Sequence, residues 1–224
     1  MVRFCKHSVL LLAILAAACV PSREERPRPA RPTPAARPAP APAPQGSAET
    51  RQCLAELRLN GVKFRPLPDR TFAGGCSAIG AVQLLDIGTP VTNLGAMTCP
   101  AARQLARWVR EAVQPAATQW LGSRIVRIES MGTYNCRPIN NQAGNKLSEH
   151  GKANAVDIGA FVTEDGRRIS VLKGWSDPDE NVRRFLRAAH QAGCKRFQIG
   201  LGPDANALHR DHFHFDMGRG PYCR

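Results

Sequence analysis

The stretch His209-Arg210-Asp211-His212-Phe213-His214-Phe215-Asp216 decides how this chain is read. Successive side chains of a β-strand point to opposite faces. As a strand over 212–216, the segment sets His212, His214 and Asp216 on one face and Phe213 and Phe215 on the other. The rings then pack into a core while the imidazoles and the carboxylate face open space. A metal site built on a sheet requires that division. A lone histidine would be read as structural, but three of the chain's six histidines lie within six residues here.

The second informative segment is Ser148-Glu149-His150-Gly151-Lys152-Ala153-Asn154-Ala155-Val156-Asp157. His150 and Asp157 are too far apart in sequence for the i, i+4 arrangement of a helical zinc pair. The spacing suits a loop leading into a strand, with small residues that let the backbone pass close to an ion. Two imidazole nitrogens and one carboxylate form a borderline-soft donor set that suits Zn²⁺. Three protein ligands leave the fourth position to water, the mark of a catalytic site. Ser148 is expected to hydrogen-bond within this loop. Asp216 is expected to support a histidine rather than to act as a fourth ligand. Trp175 and His190 are open between core and cleft.

Around these segments the pattern predicts an α+β domain: an antiparallel sheet with flanking helices, since helices and strands alternate irregularly. Helices are expected over 51–59, 101–121 and 177–192, with Pro115 ending or kinking the second. Strands are expected over 81–87, 124–129, 155–162, 196–200 and 212–216, and Gly74-Gly75-Cys76 reads as a turn.

Residues 1–19 read as a secretory signal peptide: Arg3 and Lys6, an apolar stretch, then Ala16-Ala17-Ala18-Cys19. Small residues before Cys19 resemble the bacterial lipoprotein processing box, which predicts a lipid anchor at Cys19, in the outer membrane. Ordinary cleavage near the alanines is the other reading. Both place the mature chain in a periplasm. Residues 20–49 read as a linker, because nine of the chain's 18 prolines lie between 21 and 46 and such a segment cannot bury a core. The working domain is then 50–224.

The chain has 224 residues, 43% hydrophobic and 22% charged, a balance that excludes a disordered or fibrous chain. Its longest apolar run, 9–20, is short of the roughly 20 residues a spanning helix needs. The formal charge of +13 admits nucleic acid as a partner. Export argues against that and favours an anionic wall polymer. Six cysteines remain after export: Cys53, Cys76, Cys99, Cys136, Cys194 and Cys223. In an oxidising compartment they predict three structural disulfides, and the sequence leaves the pairing open.

Ser-x-His-x6-Asp followed by His-x-His resembles zinc peptidases of the D-alanyl-D-alanine carboxypeptidase and L-alanyl-D-glutamate endopeptidase group, whose architecture is shared with lysostaphin-type peptidases and the hedgehog signalling domain. The segment from Cys53 to Arg224 is similar to the bacterial extensin-like C-terminal domain family. The resemblance implies a hedgehog/D-Ala-D-Ala peptidase-like fold and a zinc ion on His150, Asp157 and His214. It places His212 beside the metal to stabilise an anionic intermediate. Asp211 falls where many relatives carry the carboxylate that takes a proton from the attacking water. Strand parity turns Asp211 away from His214, so that role needs a bend before the strand. His209 is the other candidate base, since some endopeptidase relatives carry His-x-x-His-x-His; otherwise it contacts substrate. Gly132-Thr133-Tyr134-Asn135-Cys136-Arg137 resembles a Gly-Tyr-Arg segment that meets substrate, which offers Arg137. Two departures stand out: Ala153 replaces the usual glycine, and the Tyr-to-Arg spacing is longer. The implied function is zinc-dependent hydrolysis of peptidoglycan stem peptides or cross-links by a monomer, with no nucleic acid bound. A non-catalytic, zinc-containing wall-binding module is the alternative.

Overall fold

The computed structural model describes residues 46–224. The expected signal peptide, Cys19 and the linker as far as residue 45 lie outside the described residues. The elements run α1 (Ala48–Leu59), β1 (Lys63–Pro66), β2 (Arg70–Thr71), β3 (Ser77–Ala78), β4 (Ala81–Asp86), β5 (Val91–Thr92) and β6 (Met97–Thr98). They continue with α2 (Cys99–Trp108), α3 (Gln114–Leu121), β7 (Ile125–Gly132), β8 (Ala155–Thr163), β9 (Arg168–Ser170) and α4 (Val171–Gly174). The last are α5 (Glu180–Cys194), β10 (Ile199–Leu201), β11 (Phe213–Asp216) and β12 (Tyr222–Cys223). Helix α1 begins two residues before the expected domain boundary, where the Ser47 hydroxyl accepts a hydrogen bond from the Thr50 amide at 3.2 Å.

The helix expected over 101–121 continues through Pro115 instead of ending there. A π turn, Val109–Val113, joins α2 to α3, and the Gln114 amide reaches back five residues to the Val109 carbonyl. Proline has no amide hydrogen and its ring crowds the carbonyl four residues earlier. One widened turn just before it relieves that crowding. Gly122, with φ 66°, closes α3.

The main sheet has seven strands in the order β12-β10-β11-β8-β7-β5, with β9 also paired to β8. Pairs β10–β12 and β5–β7 are parallel and the rest antiparallel, so the expected α+β class holds with two parallel pairs at the sheet's edges. In the β8–β11 pair, Asp157 lies opposite His214 and Ile158 opposite Phe213.

The predicted alternation in β11 is realised. Phe213 and Phe215 are fully buried with Trp108, Phe161 and Phe185. Trp108 meets Phe215 at 5.4 Å between ring centres, and its indole N–H donates to the Ala189 carbonyl at 2.8 Å. Helix α5 approaches β11 closely because residue 193 is glycine: a Cβ there would stand 2.2 Å from Phe215 Cζ. Trp175 and His190 belong to this core side rather than to a cleft. His190 is buried with its ring 5.1 Å from that of Phe213, and Trp175 donates to Asp204 at 2.7 Å.

Three disulfides close the six-cysteine set: Cys53–Cys99, Cys76–Cys136 and Cys194–Cys223. The first ties α1 to α2 and the third ties α5 to β12. The second fastens the segment after β2 to the loop that carries Arg137. No helix among the described residues is long and apolar enough to cross a membrane.

Candidate metal centre

His150, Asp157 and His214 converge from three places. His150 sits in a short 3-10 turn, Glu149–Lys152, that feeds β8. Asp157 is on β8, and His214 is its neighbour on β11. Ser148 starts the turn, its hydroxyl accepting from the His150 amide at 3.3 Å, as the sequence suggested. Ala153 ends it in the left-handed region, φ 55°, and is fully buried. A non-glycine residue there costs about 1–2 kcal/mol. That conformation turns the chain from His150 into β8 so that Asp157 returns beneath the imidazole.

The facing atoms are close. His150 Nε2 lies 3.1 Å from His214 Nδ1 and 3.1 Å from Asp157 Oδ2, and His214 Nδ1 lies 2.8 Å from Asp157 Oδ1. The outer nitrogens are held too. His150 Nδ1–H donates to the Thr133 carbonyl at 2.9 Å, and His214 Nε2–H donates to Asp216 Oδ2 at 2.9 Å. Each outer bond fixes a tautomer and turns the inner lone pair toward the other ligands. Two lone pairs and a carboxylate pointed at one place repel each other unless a cation or a proton lies between them. A tetrahedral ion with bonds of about 2.0–2.1 Å needs donors roughly 3.3 Å apart, close to this spacing. The residues therefore fit zinc in donor type, separation and second-layer support.

Without an ion, a proton does the bridging. Burial disfavours the imidazolium of His214, but hydrogen bonds to Asp157 and then Asp216 outweigh it and push its pKa up to about 9. Burial acts against the charge of Asp157, yet His150 and His214 hold it well below the usual carboxylate range. A second group, His190 with Cys194 and Cys223, also lies within ligand distance. Its two sulfurs are joined in a disulfide, so it offers no thiolate.

The triad opens onto a cleft of about 860 Å³. Arg137, His209 and His212 line it. His212 Nε2 lies 3.7 Å from Asp157 Oδ1. Asp211 is placed otherwise than a carboxylate aimed at the triad: it accepts from His212 Nδ1 at 2.8 Å, as strand parity foreshadowed. It lies in the turn before β11, where no bulge brings it round to His214. His209 Nδ1 donates to the Asn206 side chain at 2.9 Å, and its ring is 5.2 Å from that of His212. Burial first, then the charges on His214 and His212, push His209 down to about 4.

A family model described as extensin-like protein C-terminus matches residues 51–224. The chain belongs to that family. The extensin-like match runs from α1 to the last residue, and so contains the triad, the cleft and all three disulfides. No curated protein and no solved structure matches the chain.

Within this extensin-like domain, sequence reasoning missed the Thr133 carbonyl. A backbone acceptor leaves no mark in residue types. It also missed the hairpin over 138–147, whose ends are joined by a Pro138–Leu147 bridge beside the cleft. The Asn and Gly residues of that loop are a turn signal that could have revealed it.

Proposed function

We propose that this is an exported zinc-dependent peptidase that hydrolyses stem peptides or cross-links of peptidoglycan. The observation that carries the reading is the convergence of His150 Nε2, His214 Nδ1 and the Asp157 carboxylate, each imidazole pinned from outside, at the floor of a cleft with further ionisable groups. Bound at these residues, zinc supplies Lewis-acid polarisation of a peptide carbonyl and a more acidic water at neutral pH.

The protein's own groups do the rest. Asp211 and His212 act as one unit: the carboxylate holds the ring at Nδ1, and Nε2 faces the triad 3.7 Å from Asp157 Oδ1. That pair takes the proton of the attacking water and returns it to the leaving amine. His209, unprotonated near neutrality, lies beside the pair and contacts substrate or shares the proton. Arg137 steadies negative charge on the carbonyl oxygen. The resemblance to D-alanyl-D-alanine and L-alanyl-D-glutamate peptidases, with their hedgehog-like fold, supports the substrate class. Three disulfides support an oxidising compartment, in keeping with a periplasmic chain anchored through Cys19.

The test is to incubate the zinc-loaded protein with purified cross-linked muropeptides and weigh the products by mass spectrometry, alongside His214→Ala. A product lost in the variant supports the peptidase, and its mass identifies the bond. No product across several stem-peptide substrates would instead favour a zinc-containing wall-binding module.

A further inference from the structure

The charges lining the cleft do not cancel. Its three carboxylates are all engaged: Asp157 by His150 and His214, Asp216 by His214 and the Gly218 amide, and Glu149 by Lys152 and Asn154. Among the described residues, three of the lining cations, Arg137, Lys146 and Arg219, have no ion-pair partner. Two of these belong to one small frame. The Ser148 amide bonds the Arg137 carbonyl at 3.1 Å and the Ile139 amide bonds the Lys146 carbonyl at 2.9 Å. Residues opposite one another in an antiparallel pair share a face. Arg137, Ile139 and Lys146 therefore project together, and all three line the cleft.

The other bank is apolar. Strand β10 lies next to β11, with Leu201 opposite His214, and Ile199 shares its face. Leu208 stands on the turn that leads into β11. All three line the cleft. Leu208 is 57% exposed, Met131 53% and Ile139 43%. Leu208 on this bank, Ile139 on the hairpin and Met131 on β7 are three of the ten large hydrophobic side chains left exposed among the described residues, and all three line this cleft, which calls for a ligand that covers them.

We propose that the cleft holds two subsites flanking the triad: an anion subsite of Lys146 on the hairpin and Arg219 in the turn after β11, and an apolar subsite of Leu208, Ile199 and Leu201. The ligand is an acidic peptide with a free carboxylate near Lys146 and Arg219 and an aliphatic side chain near Leu208. This deepens the peptidase reading and rests on it for the position of the scissile bond. A guanidinium and an ammonium converging on one carboxylate form charge-assisted hydrogen bonds. Such a pair loses its grip when the carboxylate becomes an amide.

The test separates binding from cleavage. Binding of a synthetic wall stem tripeptide with free carboxylates, and of the same peptide amidated, is measured by calorimetry on the metal-free protein, which does not turn it over. Amidation is expected to weaken binding about tenfold or more. The double substitution Lys146→Ala/Arg219→Ala should erase that difference, while zinc uptake and melting temperature stay as in the parent. Leu208→Ala should weaken both peptides alike. Equal binding of the two peptides, or a preference that survives the double substitution, overturns the proposal. A peptide bound with this preference, with no product from the zinc-loaded protein on any stem peptide or cross-linked muropeptide, would sink the peptidase reading and leave the subsites standing. Cleavage without the preference would do the reverse.

Discussion

Asp157 and His214 are register partners across the β8–β11 pair, with Asp157 Oδ1 2.8 Å from His214 Nδ1. Antiparallel pairing alone sets two of the three candidate ligands side by side. The third, His150, needs only a short turn to join them. The phenylalanines on the reverse of β11 clamp that strand into the core, so the site is as rigid as the sheet.

Proton and metal compete for His214. In the metal-free protein its pKa is raised to about 9 from an ordinary value near 6.5. A raised folded pKa gives stability that is present below 6.5 and lost as pH rises through 9. Thermal melts of the metal-free protein should therefore fall across that window. The zinc-loaded protein should stay level over the same window, because zinc affinity climbs about tenfold per pH unit until pH 9 and offsets that loss. A flat affinity over this range would contradict the bridging proton.

Asp216 reaches the metal site through His214, and its other oxygen accepts from the Gly218 amide. Replacing it with alanine frees Nε2 of the imidazole and releases its orientation. Zinc affinity should drop about 10–100-fold while the fold persists, read by competition with a chromogenic chelator and by circular dichroism.

Asp211→Asn and Asp211→Ala should differ. Asparagine still accepts from His212 Nδ1, whereas alanine leaves the ring unheld. We expect kcat to fall about 10²–10⁴-fold for alanine and at least about tenfold less for asparagine, with zinc content unchanged in both. Equal losses would mean that Asp211 takes the proton itself.

Gly193→Ala should damage the domain without touching the site. The new methyl would sit 2.2 Å from Phe215 Cζ, forcing α5 or β11 to shift. Overpacking of this kind costs about 1–3 kcal/mol. For a domain of this size that is a melting point lower by roughly 2–12 °C.

The Cys76–Cys136 bridge spans 60 residues and fastens the loop that offers Thr133 to His150. Cys76→Ser/Cys136→Ser should cost about 4 kcal/mol in unfolding experiments by the loop-entropy estimate. It should also weaken zinc binding, because the Thr133 carbonyl loses its anchor. A variant that melts lower but binds zinc as before would separate the two effects.

Much of this was legible in the residue order. The alternation of Phe213 and Phe215 with His214 and Asp216 carried both the core and the metal face. Parity put the base role of Asp211 in doubt, since a regular strand turns it from His214. Other features had no such signature. The disulfide pairs depend on distances between elements far apart in sequence, which no local spacing records. The π turn stands where Pro115 predicted an end or a kink, and buried Trp108 before it and Val113 within it hold the helix to the core. The hairpin that presents Lys146 is fixed by backbone bonds rather than by an apolar pattern.

Ala153 carries a consequence for how the chain can change over time. Its left-handed backbone admits glycine or asparagine readily and other residues only under strain. Its burial against Ala78 and Ala81 leaves no room for a polar amide without a partner. Only glycine and alanine satisfy both demands, so in a saturation library this position should tolerate two residues. Drift at the ligand turn is confined to a single methyl group.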